Sequence, residues 1–295
     1  MRIGCATLTT VLLAAVTLAG PSAHAEPANS SSLLWRIETS EAAPSYVFGT
    51  MHSDRDEVLD LPTKVEDAFA SAERYAFELD FDGGIQTKMA RQMMNTSGKP
   101  LRDQLDEARW QQLTQVAEQQ GLPAPSLNRF EPWAVAMTLA MPQIEPQSAL
   151  DWVLYRRAQD QEAAVTGLES VAEQVSVFKD IPESKQLALL NRVVDMRQSG
   201  RLRELHDQSA EAWLNEDLAR LMAISDNNPM MPDPQSQADF QERLITERNT
   251  RMTKRMQPLI NKGGAFIAIG ALHLPGDRGV IEQLKEAGYE VTALR

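Results

Sequence analysis

The chain has 295 residues, 41 acidic against 29 basic, for a net charge of −12. That balance, with no basic stripe, argues against a nucleic-acid partner, which needs cations to neutralise phosphates. The one cysteine, Cys5, falls in the leader described next, so the rest of the chain has no disulfides, thiolate metal sites or cysteine nucleophiles.

Residues 1–25 read as a secretory leader. Arg2 gives a positive start, "VLLAAVTLAG" an apolar run, and Ala23-His24-Ala25 an A-x-A cleavage site before Glu26. The run is shorter than the ~20 apolar residues of a bilayer span. No later segment is apolar enough to span either. The expectation is an exported protein, periplasmic or secreted, with no membrane span after cleavage. Residues 26–295 are long enough for one sizeable core or two modest ones, and are read as a single domain.

"LLWRIE" (residues 33–38) and "SYVFGT" (residues 45–50) are short apolar strands around the turn-like "TSEAAP". "LPTKVEDAFASA" has helical spacing at Val65, Phe69 and Ala72, with Pro62 in its first turn. "RYAFELDF" alternates: Tyr75, Phe77, Leu79 and Phe81 point one way, and Ala76, Glu78 and Asp80 the other, until Asp82-Gly83-Gly84 ends the strand. Residues 85 to about 260 are mostly helical, punctuated by "SGKP", "GLPAP" and "DNNPMMPDP", with one short strand at residues 163–169. "GGAFIAIGALH" then returns to strand character, "GVIEQLKEAG" is a helix with a glycine stop, and "YEVTAL" is a final strand. This order predicts an α/β fold with α+β character: a central mixed sheet built from N- and C-terminal strands, covered by a large, mostly helical insertion.

One phrase occurs twice. "FGTMH" spans residues 48–52 and "IGALH" residues 269–273, each an apolar residue, a glycine, two residues and a histidine. The chain has four histidines, and His24 lies in the leader, so these phrases hold two of the remaining three. Each phrase closes a strand-like run and is followed by Asp-Arg, at Asp54-Arg55 and Asp277-Arg278. Sites in helix-flanked sheets lie beyond the carboxyl ends of the strands. Two imidazoles there, with one carboxylate, suit an open site for zinc, manganese, iron or cobalt. Glu78 is the nearest carboxylate candidate, and Asp80 shares its face. Two blander readings stand beside this one. Glu78 and Asp80 could occupy the solvent face of an edge strand, and each histidine could be a hydrogen-bonded turn residue.

These segments resemble the TraB/GumN family, relatives of the Tiki metalloproteases within a superfamily that includes haem-binding and erythromycin-esterase-like proteins. The resemblance rests on Gly49-Thr50-Met51-His52, Gly270-Ala271-Leu272-His273, Glu78 in "ELD" and the "RN" pair Arg248-Asn249. It implies a divalent metal ion (manganese, cobalt or zinc) and hydrolysis of peptide bonds in a peptide or protein substrate. On that basis His52 and His273 hold the ion, and Glu78 is a third ligand or the base. Arg248 would stabilise an oxyanion and Asn249 would orient substrate. The same crevice is open to two other functions. One is a non-catalytic envelope protein that binds a metal, haem or a peptide; the other is a metal-free hydrolase with a histidine base.

"GLES" at residues 167–170 also resembles a family element, so Glu169 either reaches the site or starts a helix, where its charge suits the amino end. The methionines, such as Met89, Met93, Met252 and Met256, either fill helical cores or bind copper(I). His206 in "RLRELHDQ" reads as an exposed helix position. There is no HExxH, glycine-rich phosphate loop or GxSxG.

Overall fold

The short apolar runs flanking "TSEAAP" pair as an antiparallel hairpin, β1 (Leu34–Glu38) with β2 (Ser45–Thr50). In the computed structural model, which describes residues 28–81, 84–96, 98–142, 144 and 146–295, this hairpin lies inside a six-stranded mixed sheet. The leader and the Asp82-Gly83 pair lie outside the described residues. The other strands are β3 (Arg74–Leu79), β4 (Ala164–Glu169), β5 (Ala265–Gly270) and β6 (Glu290–Leu294), in the order β4-β3-β5-β2-β1-β6. Five strands thus come from the two ends of the chain, and the insertion contributes only β4 at one edge. The expected α/β fold with a central mixed sheet is the one observed.

β2, β5, β3 and β4 run parallel, so their carboxyl ends open on one edge of the sheet. The registers are close: Thr50 lies opposite Gly270, Phe77 opposite Ala268, and Leu79 opposite Glu169. Parallel strands covered on both faces bury consecutive residues. Tyr75, Ala76 and Phe77 are all buried, as are all of β5 up to Ile269. β3 therefore has neighbours on both sides, and the edge-strand reading of Glu78 does not hold.

The helix Glu247–Lys262 lies on the sheet and buries Met252, Met256 and Ile260 in its core, alongside the polar Arg248 and Asn249. A π-helical turn at Glu242–Thr246 precedes it, a distortion that often accompanies function. The helix Val171–Lys179 follows β4 directly, and a reciprocal capping box between Ser170 and Glu173 starts it there. A second core, with Leu139, Leu190 and Val193, holds the insertion helices Pro132–Ala140 and Glu183–Gln198 together. His206 is half-buried, contrary to expectation, because its ring meets the Ala140 carbonyl at 3.1 Å.

Candidate functional site

Three neighbouring parallel strands deliver the motif residues to one edge. Glu78 is near the end of β3, His52 lies two residues past β2, and His273 closes the 3₁₀ turn Ala271–His273 after β5. The motif glycines allow this crowding. The Gly270 N–H donates to Glu78 Oε1 at 2.7 Å, and a Cβ there would stand 3.1 Å from that oxygen. A Cβ at Gly49 would stand 2.7 Å from Leu274 Cδ1 and 3.0 Å from Ala271 Cα, so this glycine makes room for the second phrase.

Glu78 is held on every side. Its Oε2 accepts from Arg248 Nη2 at 2.6 Å and from Gln174 Nε2 at 3.0 Å. Arg248 also donates from Nε to Glu169 Oε2 at 2.8 Å, and Arg251 donates to Glu169 Oε1 at 2.7 Å. Burial works to raise the Glu78 carboxyl, but Arg248, His273 and the Gly270 N–H outweigh it and hold it at about 2. Glu78 is thus an anion at neutral pH. Asp80 is turned elsewhere and accepts from the Tyr155 hydroxyl at 2.6 Å.

The state of His273 follows from a chain of hydrogen bonds. Asn249 is buried, and its amide Nδ2 donates to the Arg278 carbonyl at 2.9 Å. Its Oδ1 must then be the atom facing His273 Nδ1, at 2.6 Å, so Nδ1 carries the proton. Burial outweighs the pull of Glu78, Arg248 adds to it, and the ring is lowered to about 4. At neutral pH the ring is therefore uncharged and Nε2 carries a lone pair. Nε2 lies 3.7 Å from Glu78 Oε1. Two electron-pair donors thus face each other with no hydrogen between them, an arrangement that suits a cation. Both amide groups of Asn249 are thus hydrogen-bonded within the protein, to Arg278 and to His273.

His52 is exposed, with Nδ1 3.5 Å from Asp151 Oδ2. Asp151 Oδ1 in turn accepts from the Thr50 hydroxyl at 2.5 Å. His52, Asp151, Glu78 and Gly270 line one cavity of about 460 Å³. Among the described residues, no three histidine, aspartate, glutamate or cysteine side chains converge closely enough to hold an ion. Glu78 and His273 alone approach each other, whereas His52 shares the cavity with Glu78 and is turned to Asp151.

Sequence reasoning missed Asp151 and Gln174. Asp151 sits in the first turn of the helix Leu150–Asp160, where an acidic residue reads simply as a complement to the helix dipole.

Paired GxxH turns and an ionised carboxylate at the carboxyl edge of a mixed α/β sheet define a class of protein. The TraB/PrgY/gumN family model matches residues 33–293, and the chain belongs to that family. Among its relatives, Metalloprotease TIKI1 of Danio rerio is 25% identical over 88% of this chain and 63% of its own. Metalloprotease TIKI1 of Homo sapiens is 25% identical over 88% and 61%, and Metalloprotease TIKI2 of Xenopus tropicalis 26% over 88% and 59%. The chain spans about 60% of the length of these relatives. No solved structure matches. Among the described residues no helix is long and apolar enough to cross a membrane.

Proposed function

We propose that the chain is a hydrolase of peptide bonds that works with a divalent ion: manganese, cobalt or zinc. His273 Nε2 and Glu78 Oε1 are its paired donors, and His52 is the third, from across the cavity. The carrying observation is the 2.6 Å contact of His273 Nδ1 with Asn249 Oδ1, which leaves Nε2 as the ring's lone-pair atom, 3.7 Å from Glu78 Oε1. Metal-bound histidines commonly donate their other ring N–H to such a partner. The relatives named metalloprotease support the hydrolase class.

A bound ion would supply an acidified water and a polarised carbonyl. The chain's own residues do the rest. Asn249 keeps the His273 proton on Nδ1. Arg248, Gln174 and the Gly270 N–H keep Glu78 ionised and fixed. Its Oε1 remains the carboxylate oxygen nearest the imidazole, whether as ligand or as acceptor of a proton from water. Arg248 is committed to Glu78 and Glu169, so its charge acts through them. Asp151 and Thr50 orient His52. The domain is residues 26–295, working outside the cytoplasm once residues 1–25 are removed.

The test is metal content and cleavage of a peptide pool by the wild type, His52→Ala, His273→Ala and Glu78→Gln. Wild type should retain one ion after dialysis and cut peptides, and the variants should lose both. Three variants that retain ion and cleavage would overturn the assignment. A second reading, with His273 as base and no metal, is favoured by one observation: no third donor converges on the Glu78–His273 pair among the described residues. Full cleavage by chelator-treated enzyme would select it.

A further inference from the structure

The cavity beside Glu78 has walls that hydrolytic chemistry does not call for. The helix Ile85–Met93 supplies Met89 and Met93, the helix Pro132–Ala140 supplies Trp133 and Met137, and Phe178 comes from the helix Val171–Lys179. Met141, exposed, stands just past the second of these. The insertion thus builds an aromatic and thioether chamber directly against the strand ends that carry Glu78 and His52. We propose that this chamber is a specificity pocket for a large apolar side chain (leucine, methionine or phenylalanine) flanking the bond that is cut. The proposal rests on the peptide-hydrolase reading above.

Four features carry it. The first is size: about 460 Å³ lies in the range of small-ligand pockets and has room for a side chain with its flanking backbone. The second is chemistry. Thioethers are polarizable and adaptable, so four methionines form a wall that accepts apolar groups of different shape. The third is charge. Asp151 lines the same cavity, so an acidic side chain would meet another acidic group as well as apolar walls. The fourth is an unpaired donor. Trp133 is buried and stacks on Phe178 at 6.1 Å, yet among the described residues its indole N–H has no hydrogen-bond partner. Buried donors almost always have partners. The N–H is itself covered, so a substrate backbone carbonyl becomes its acceptor once the adaptable methionine wall shifts, which would make the pocket a reader of a peptide and not of a bare hydrocarbon.

The test has a binding arm and a cleavage arm. Wild-type protein carrying ¹³C-methyl methionine is titrated with the N-acetyl amides of leucine, phenylalanine, aspartate and lysine. The Met89, Met93, Met137 and Met141 methyl signals should move with the leucine and phenylalanine amides, at concentrations about tenfold below those needed for the other two. Met141→Glu, at an exposed position that leaves the fold intact, should weaken the leucine amide about tenfold. In the cleavage arm, bonds cut in a peptide pool should share a large apolar residue at one fixed position. Methyl shifts without cleavage would keep the pocket and remove the hydrolase reading. Cleavage with no side-chain preference would keep the hydrolase and overturn the pocket, as would methyls indifferent to apolar amides or equally responsive to all four.

Discussion

Arg248→Met strips the guanidinium from a buried cluster in which it touches Glu78 at 2.6 Å and Glu169 at 2.8 Å. Methionine retains much of the apolar stem, so the main loss is charge. Glu169 keeps a cation, Arg251 at 2.7 Å. Glu78 keeps only the neutral donors Gln174 and Gly270 N–H, and so carries most of the damage. Its carboxyl is held at about 2, against an ordinary value of 4.5. Arg248 is the largest of the groups that lower it, so losing the guanidinium removes at most about 3 kcal/mol of stability at neutral pH. Removing one partner of a buried ion pair costs about 3–5 kcal/mol in other proteins. The Glu78 side chain is 22% exposed, which favours the lower end, about 3 kcal/mol.

The pH dependence has a definite sign. A carboxyl whose folded value is depressed stabilises above its unfolded value and loses that stabilisation as pH falls toward the folded one. The effect of Arg248→Met should therefore be full at pH 7 and shrink between about pH 4.5 and pH 2. Urea unfolding of chelator-treated protein, followed by tryptophan fluorescence across that range, measures it. Adding Glu78→Gln to Arg248→Met should return part of the loss, because an amide needs no counter-charge. A loss below about 1 kcal/mol at pH 7, or one that stays constant down to pH 3, would refute the electrostatic account of the cluster.

Glu173→Gln should destabilise by about 1 kcal/mol at pH 7 and by almost nothing near pH 2, read as a difference in thermal midpoints. Arg255 binds Glu173 through both Nη atoms and holds its carboxyl at about 2, but the pair is partly exposed and screened. Gly49→Ala puts a Cβ 2.7 Å from Leu274 Cδ1 and 3.0 Å from Ala271 Cα, and should cost about 1–3 kcal/mol in denaturant unfolding. An unchanged midpoint would mean that the second phrase is free to shift. Asp151→Asn should lower ion affinity or turnover by about 10–100-fold through His52 while leaving the melting temperature near wild type. Equal activity would remove Asp151 from the site.

Much of this arrangement could be read from local sequence, and the failures share a cause. β1, β2, β3 and β5 announced themselves because a buried strand is a short apolar run, and period-two alternation separated Glu78 from its aromatic neighbours. What the sequence did not reveal are contacts between polar residues far apart in the chain. The Arg248 partners lie 170 and 79 residues away, and Thr50 and Asp151 are 101 apart. Read alone, the polar face of the helix Glu247–Lys262 suits solvent. Its content is more specific than that. Arg248, Arg251 and Arg255 recur on one helix face, and they meet Glu78, Glu169 and Glu173 at and just beyond the strand ends. A polar stripe of one sign is a solvated face or half of a buried ion-pair layer, and helical periodicity cannot tell these apart.

The doubled phrase is similarly less symmetric than its spelling. β2 and β5 are adjacent parallel strands, yet Gly49 lies opposite Ile269 and Thr50 opposite Gly270, so the two copies are offset by one residue. The offset gives the glycines different duties. Gly49 admits the loop of the other copy, whereas Gly270 offers its N–H and its missing side chain to Glu78. The histidines diverge further. The His273 side chain is 5% exposed and leans on a neutral amide, which fixes its proton without adding charge. The His52 side chain is 39% exposed, leans on a carboxylate, and borders a second cleft lined by Arg55, Arg197 and Arg203. A buried imidazole with a neutral partner is a fixed electron-pair donor, and an exposed one beside an acid can turn toward whatever enters the cavity. The repeat therefore reflects one solution to leaving a parallel strand, used twice, with the chemistry assigned by the partners each copy meets.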